Sequence, residues 1–290
     1  MILRSSIISF PGLGIGEFEV DSVAIHITDT FTIAWYALII TIGIICAVAY
    51  TMWRARQVGI TNEIILDFAI WAVPSGIIGA RAYYVLTSLE KYHSLSDVLN
   101  IRNGGLAIYG AILGGALAVF IVSRVKKIPF LTVADCATPG IILAQSIGRW
   151  GNFMNGEAYG YATDIFCRMG ISKLNEATME YSQVQYVHPT FLYESLWNLL
   201  GFILINIFYK HRKYDGQVFL LVFGWYGLGR MFIEGLRSDS LYGSFFGIQY
   251  RISQVLAALI FAACLSALIY FAVKKPNKEL YIYKNTKTEK

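Results

Sequence analysis

Two arginines set in Gly- and Tyr-rich apolar sequence are the groups best suited to chemistry. Arg149 lies in the run Gly148-Arg149-Trp150-Gly151-Asn152-Phe153-Met154-Asn155-Gly156-Glu157-Ala158-Tyr159-Gly160, and Arg230 follows Tyr226-Gly227-Leu228-Gly229. A guanidinium is planar, stays charged when partly buried, and binds phosphate or carboxylate through two parallel N–H bonds. Around Arg149, the side chains of Asn152, Asn155 and Glu157 add donors and acceptors, a composition suited to cradling a phosphate or glycerol group. The glycines at 148, 151, 156 and 160 predict an irregular backbone over this run rather than a regular helix. Tyr226, Arg230 and Glu234 are spaced i, i+4, i+8 and share one helical face. Glu234 either does no more than neutralise Arg230, or holds its guanidinium for an external phosphate. His188 precedes Pro189, a residue suited to a helix start, and is either a proton carrier or a capping residue.

No Walker loop, HExxH or GxSxG motif occurs, and no Ser or Cys stands beside an evident His/Asp pair. A phosphate-binding site without its own nucleophile suits transfer between two external substrates, the acceptor bringing the nucleophile. The cysteines at 46, 136, 167 and 264 are scattered, and none is spaced with another Cys or a His as metal ligands are. No metal and no cofactor is expected.

The elements that must position these groups are membrane helices. Of the 290 residues, 56% are hydrophobic and only 15% charged, and the mean hydropathy is +0.53. A soluble domain carries about 25% charged residues, so a water-facing surface over this chain is excluded, as is disorder. Charge-poor stretches predict seven transmembrane helices over about 33–53, 65–87, 104–124, 131–149, 190–209, 216–235 and 250–273. The fold class is thus an all-α polytopic membrane protein forming a single integral domain over 1–290. An irregular segment over 1–32, containing Pro11, Gly12, Gly14 and Gly16, lies outside the first helix and does not read as a secretory signal. The outer loop over about 150–189 predicts a small extracytoplasmic cap, and residues 274–290 form a basic tail.

The net charge of +5 would suit nucleic acid in a soluble protein, but in a membrane protein the placement of Lys and Arg carries the information. The turns after spans one, three and five and the tail hold fourteen of the 24 basic residues. The positive-inside rule makes that side cytoplasmic, with the N-terminus outside and the C-terminus inside; no nucleic-acid partner is expected. Ten of those fourteen are Lys, whereas eight of the remaining ten are Arg. With this orientation Tyr36, Arg81, Tyr109, Arg149, Glu194, Tyr226, Arg230 and Glu234 fall in the outer part of their spans, and Arg237 just beyond the sixth. Ionisable groups in a membrane segment cost at least about 2–3 kcal/mol each, so each needs a partner or a wet cavity.

The block from Gly148 to Glu157 followed by Gly160 resembles the signature of the bacterial prolipoprotein diacylglyceryl transferases. His188-Pro189-Thr190-Phe191-Leu192-Tyr193-Glu194, the Tyr226/Arg230/Glu234 segment, Trp35-Tyr36 and the Gly-rich third span are similar to its other blocks, in family order from 35 to 237. The resemblance implies an enzyme of the bacterial inner membrane, active toward the extracytoplasmic side. It moves the diacylglyceryl group of phosphatidylglycerol to the lipobox cysteine of a prolipoprotein, forming a thioether and releasing glycerol phosphate. It implies no metal. The partners implied are phosphatidylglycerol, lipobox-containing signal peptides and the bilayer. By the same resemblance Arg149 contacts phosphatidylglycerol, Arg230 is the second essential arginine with Glu234 its neighbouring acid, and Asn152 and Tyr36 are signature residues. Asn155, Glu157, Tyr226 and Gly160 join them in the headgroup pocket, with Arg81, His188, Glu194 and Arg237 as support. Tyr109 stands where many relatives carry a histidine read as the base; a tyrosine of ordinary pKa near 10 is a poor base at pH 7. The alternative from residue placement alone is a transporter or flippase for an anionic lipid or solute, which would place discontinuous helices at the bilayer midplane.

Overall fold

The structure, a computed structural model, describes residues 5–28, 31–92, 94–101, 104–175, 177–245, 248–274 and 280–282. Most of the basic tail lies outside the described residues. In chain order the elements are β1 (Ser5–Phe10), β2 (Ile15–Asp21), β3 (Val23–Thr28), β4 (Phe31–Ala34), α1 (Trp35–Ala55), α2 (Asn62–Leu86), α3 (Leu95–Leu99), α4 (Ile108–Lys126) and α5 (Phe130–Met154). They continue as β5 (Met169–Asn175), β6 (Glu180–Tyr181), β7 (Gln185–Val187), α6 (Thr190–Phe208), α7 (Gln217–Ile233), β8 (Tyr242–Phe245), β9 (Ile248–Arg251) and α8 (Ile252–Lys274). Seven helices, all but α3, are long and apolar enough to cross a membrane. Apolar side chains such as Ile78, Leu113, Ile207 and Leu259 are more than half exposed, as surfaces solvated by lipid tails are and soluble surfaces rarely are over this extent.

The chain divides into two compact units, Met1–Ala47 with Thr138–Lys278, and Val48–Ala137 with Glu279–Lys290. In the first unit, the segment before α1 corrects the sequence reading. It is not irregular: β1 and β2 form an antiparallel hairpin with Ser5 opposite Asp21 and Ile8 opposite Phe18, joined through a 3-10 turn at Pro11–Leu13. Pro11 and Gly14 are turn residues between two strands: Gly14 takes φ +72, a left-handed conformation that closes the turn onto the Pro11 carbonyl. β1 also pairs with β5, Ile8 opposite Ile171, and β5 pairs with β6 and β7. Ile8, Phe10, Val20, Met169, Ile171 and Val187 form a buried core with Phe191 of α6, and Phe153 and Met154 of α5 pack against it. The cap is therefore a sheet resting on the end of α5 and the start of α6, the helix ends that carry the charged residues.

In the second unit, α2 and α4 pack along most of their length, and a core of Ala55, Val58, Ile60, Ile65, Phe68, Val122, Ile128, Val133 and Cys136 closes one end. At the other end of α2, the buried Arg81 engages all five of its N–H donors with backbone carbonyls. Nε donates to Val98, Nη1 to Gly104 and Gly105, and Nη2 to Asp97 and Asn100, at 2.7 to 2.9 Å. Tyr92 lies 5.0 Å from the guanidinium, ring to cation. Arg81 thus gathers the connection between α2 and α4 and fixes where α4 begins.

Candidate functional site

The run from Gly148 to Gly160 is helical up to Met154 and irregular from Asn155 onward. The irregular backbone expected from the glycines is therefore corrected for 148–154, and the outer loop begins after Met154 rather than at about 150; Gly156 and Ala158 do take positive φ. Glycine in a helix interior costs about 1 kcal/mol relative to alanine but permits close approach, and a Cβ on Gly151 would lie 2.8 Å from the Tyr36 ring. The helix ends in a Schellman motif: Glu157 N–H donates to the Asn152 carbonyl at 3.0 Å and Gly156 N–H to Phe153 at 2.9 Å, with Gly156 at φ +58. This turn folds Glu157 back over the last helical turn. Asn152 and Asn155 each donate through Nδ2 to Glu157 Oε1 at 3.1 Å, and Arg149 Nη1 donates to Asn152 Oδ1 at 3.1 Å. Arg, both Asn and Glu form one chain of hydrogen bonds on the helix end.

Glu194 gathers the arginines. Arg149 Nη2 pairs with its Oε2, Arg230 Nη1 lies 2.5 Å from its Oε1, and Arg237 Nη1 lies 3.4 Å from the same oxygen. Arg230 Nη2 also pairs with Glu234 at 2.5 Å, and Arg237 holds Asp239 bidentately at 2.8 and 2.9 Å. Three guanidinium groups from three chain segments thus face three carboxylates, as burial of this much charge requires. The carboxylates of Glu194 and Glu234 are 4% and 1% exposed, Arg230 is 14% exposed and Arg149 22%. Arg149 is the most open of the three, and among the described residues two of its five donors are engaged, leaving others for an anion. Helix direction supports one placement: Arg230 lies in the last turn of α7, where the helix dipole favours its charge.

Of the other expected site residues, Tyr36 packs over Gly151 and Tyr226 stands one turn before Arg230 on α7. Gly160 donates its N–H to the His188 carbonyl at 2.9 Å, and Tyr161 donates to Leu236 at 2.9 Å, tying together the chain before α6 and after α7. His188 Nδ1 lies 3.4 Å from the Tyr193 hydroxyl, and burial lowers its pKa, favouring the neutral imidazole. Arg81 and Tyr109 belong to the second unit. Arg81 is engaged with backbone as described, and Tyr109 lies in the first turn of α4 with the Tyr83 ring 6.3 Å away. Asp239 was missed in the sequence, as was the rank of Glu194. The signal for Glu194 was a buried acid at the start of an apolar span; for Asp239 it was only its position two residues after Arg237.

Burial works to raise the Asp239 pKa, but the bonds and charge of Arg237 outweigh it and hold the carboxyl below its ordinary range. A carboxyl whose folded pKa is depressed stabilises the fold above its unfolded pKa, near 3.9, and loses that contribution as pH falls through the lower folded value. Asp239→Asn therefore lowers stability at pH 6 by about 1 kcal/mol or less, because the carboxylate is half-exposed, and the melting temperature falls with it. The difference from wild type narrows as pH falls below the ordinary carboxyl range. Melting curves across that range check it; a constant gap refutes the linkage.

A family model described as prolipoprotein diacylglyceryl transferase matches residues 22–270. A protein of Listeria innocua serovar 6a named phosphatidylglycerol–prolipoprotein diacylglyceryl transferase is 42% identical over 266 residues, spanning 90% of this chain and 94% of its own. One of the same name from Enterococcus faecalis is 42% identical over 279 residues, spanning 94% and 97%. A protein of Clostridium perfringens, numbered 1 under that name, is 44% identical over 260 residues, spanning 87% and 96%.

Proposed function

This chain belongs to the prolipoprotein diacylglyceryl transferase family and is a multi-pass membrane transferase, and we propose that it lipidates the lipobox cysteine of prolipoproteins from phosphatidylglycerol. The cysteine sulfur bonds to the glyceryl carbon that carries the phosphate. The C–O bond to phosphate breaks, glycerol phosphate leaves with its oxygen, and the thiol proton passes to a base. The observation that carries this reading is the meeting of Arg149 and Arg230 on Glu194. Guanidinium groups fixed before the reaction stabilise the charge that develops on the phosphate, most strongly where water is excluded. The same positive charge lowers the pKa of a thiol placed beside it, and the thiolate is the nucleophile.

The remaining assignments follow the same chemistry. Asn152, Asn155, Glu157, Tyr36, Tyr226, Glu234 and Gly160 shape the pocket for the lipid headgroup. Arg81, His188, Glu194 and Arg237 support it, and Tyr109 is assigned to the catalytic set from the first turn of α4. The distribution of Lys supports a site toward the extracytoplasmic side of the inner membrane, with the whole chain acting as one membrane domain. The relatives' names favour a transferase over a transporter.

The test supplies the purified protein with phosphatidylglycerol and a peptide carrying a lipobox cysteine. The expected products are a peptide heavier by one diacylglyceryl group through a thioether and glycerol phosphate in equal amount. Folded protein that yields no lipidated peptide, or that uses phosphatidylethanolamine equally well, overturns the proposal.

A further inference from the structure

Trp197-Asn198-Leu199-Leu200-Gly201 on α6 and Trp225-Tyr226-Gly227-Leu228-Gly229 on α7 carry the same pattern, a tryptophan followed by glycine four residues later. The two indoles stack with centroids 4.4 Å apart and planes at 18°. Trp197 Nε1 donates to the Trp225 carbonyl at 3.0 Å, and Trp225 Nε1 donates to the Trp197 carbonyl at 2.9 Å. A helical carbonyl has a second lone pair for such a donor. Each indole also lies in the space left by the opposite glycine. A Cβ on Gly201 would sit 2.3 Å from Trp225 Nε1, and one on Gly229 2.1 Å from Trp197 Nε1.

We propose that Trp197 and Trp225 are positioning residues, a reciprocal clasp that fixes the register of α6 against α7 and so holds Glu194 to Arg230. The proposal rests on the reading of the arginine–carboxylate cluster as the phosphate site. Glu194 lies three residues before Trp197, about 4.5 Å along the helix, and Arg230 directly follows Gly229. Sliding either helix by one residue, about 1.5 Å, would break both indole bonds and the Arg230–Glu194 contact together. Lipid tails solvate apolar side chains nearly as well as a neighbouring helix does, so small residues that allow close approach and interhelical hydrogen bonds are what make one register preferred. α6 is also held by the reciprocal Ser146–Ser195 bonds to α5 and by Ile205 and Tyr209 packed with Val218 and Val222; the clasp adds two directional bonds between α6 and α7 next to the ion pair.

The test uses the full-length enzyme in bilayer discs containing phosphatidylglycerol. Trp197→Phe and Trp225→Phe keep an aromatic ring and remove the N–H. Gly229→Ala fills the niche, and Gly224→Ala on the same helix, where a Cβ would meet Cys264 at an ordinary 3.4 Å, is the control. Misplacing a catalytic group by 1 Å can cost about 100-fold. The expected loss in kcat is about tenfold for each Trp variant and at least that for Gly229→Ala, with KM for phosphatidylglycerol within about threefold of wild type. Gly224→Ala stays within about twofold of wild type, and Trp197→Phe combined with Gly229→Ala is no slower than Gly229→Ala alone. Normal kcat in both Trp variants, or multiplicative losses in the pair, overturns the proposal. Should Gly229→Ala not fold, the two Trp variants decide. Melting temperatures of the same set read the clasp without the reaction: non-additive shifts for Trp197 and Gly229 support it and additive shifts overturn it. A wild type that lipidates no peptide counts against the function, while the melting cycle still judges the clasp.

Discussion

Arg149→Lys lowers kcat for peptide lipidation by about 100- to 1000-fold, the scale on which loss of one preorganised anion-stabilising donor is felt. An ammonium keeps the charge, so the loss isolates geometry. Arg149 reaches Asn152 through one terminal nitrogen and Glu194 through the other, and a lysine has one nitrogen at the end of a flexible stem. Arg230→Lys has an effect of the same order, because its two terminal nitrogens are divided between Glu194 and Glu234. The measurement is kcat at saturating phosphatidylglycerol, per mole of protein shown to be folded by size exclusion. Turnover within about fivefold of wild type in both variants would remove bidentate recognition from the mechanism.

Glu194→Ala produces the largest loss of stability of any single change at the site. The carboxylate touches three arginines, and removing one partner of a buried ion pair typically costs about 3–5 kcal/mol because charge is left uncompensated. In this variant Glu234 and Asp239 remain against three guanidinium groups. The sign of a second effect follows: an anionic headgroup can replace the missing charge, so phosphatidylglycerol raises the melting temperature of Glu194→Ala more than that of wild type. Melting in detergent with and without the lipid checks both halves. A variant as stable as wild type, or one indifferent to the lipid, shows that Glu194 is not the centre of the cluster.

The seven spans were legible because hydrocarbon imposes a length and an exclusion of charge that composition reports directly. Charge placement was legible for the same reason: Arg149, Arg230 and Glu234 are costly in lipid, and their neighbours on a helical face follow from the period. The cap was not. Gly16-Glu17-Phe18-Glu19-Val20-Asp21 alternates apolar and acidic residues as a strand does, yet the nearby Pro11, Gly12 and Gly14 outweighed it. That strand pairs with β1, and β1 pairs on its other side with β5, Ser9 opposite Gly170, a long-range pairing that no local pattern encodes. The glycines at 148 and 151 misled in the opposite direction, since close packing against α1 rather than a broken helix is their reason for being there. That one carboxylate would serve three arginines depends on where α5, α6 and α7 end relative to each other, which is a property of packing and not of spacing.

Arg81 shows a different economy from the acid-balanced cluster. Its ligands are peptide oxygens, which neither titrate nor depend on which side chain a residue bears. The connection from Asp97 to Gly105 is therefore free to change its side chains while keeping its path, provided Gly105 stays small where a Cβ would strike the Arg81 Nη1 at 2.4 Å. Acidification that protonates the carboxylates of the charged site leaves these five bonds of Arg81 intact, because none of their acceptors titrates.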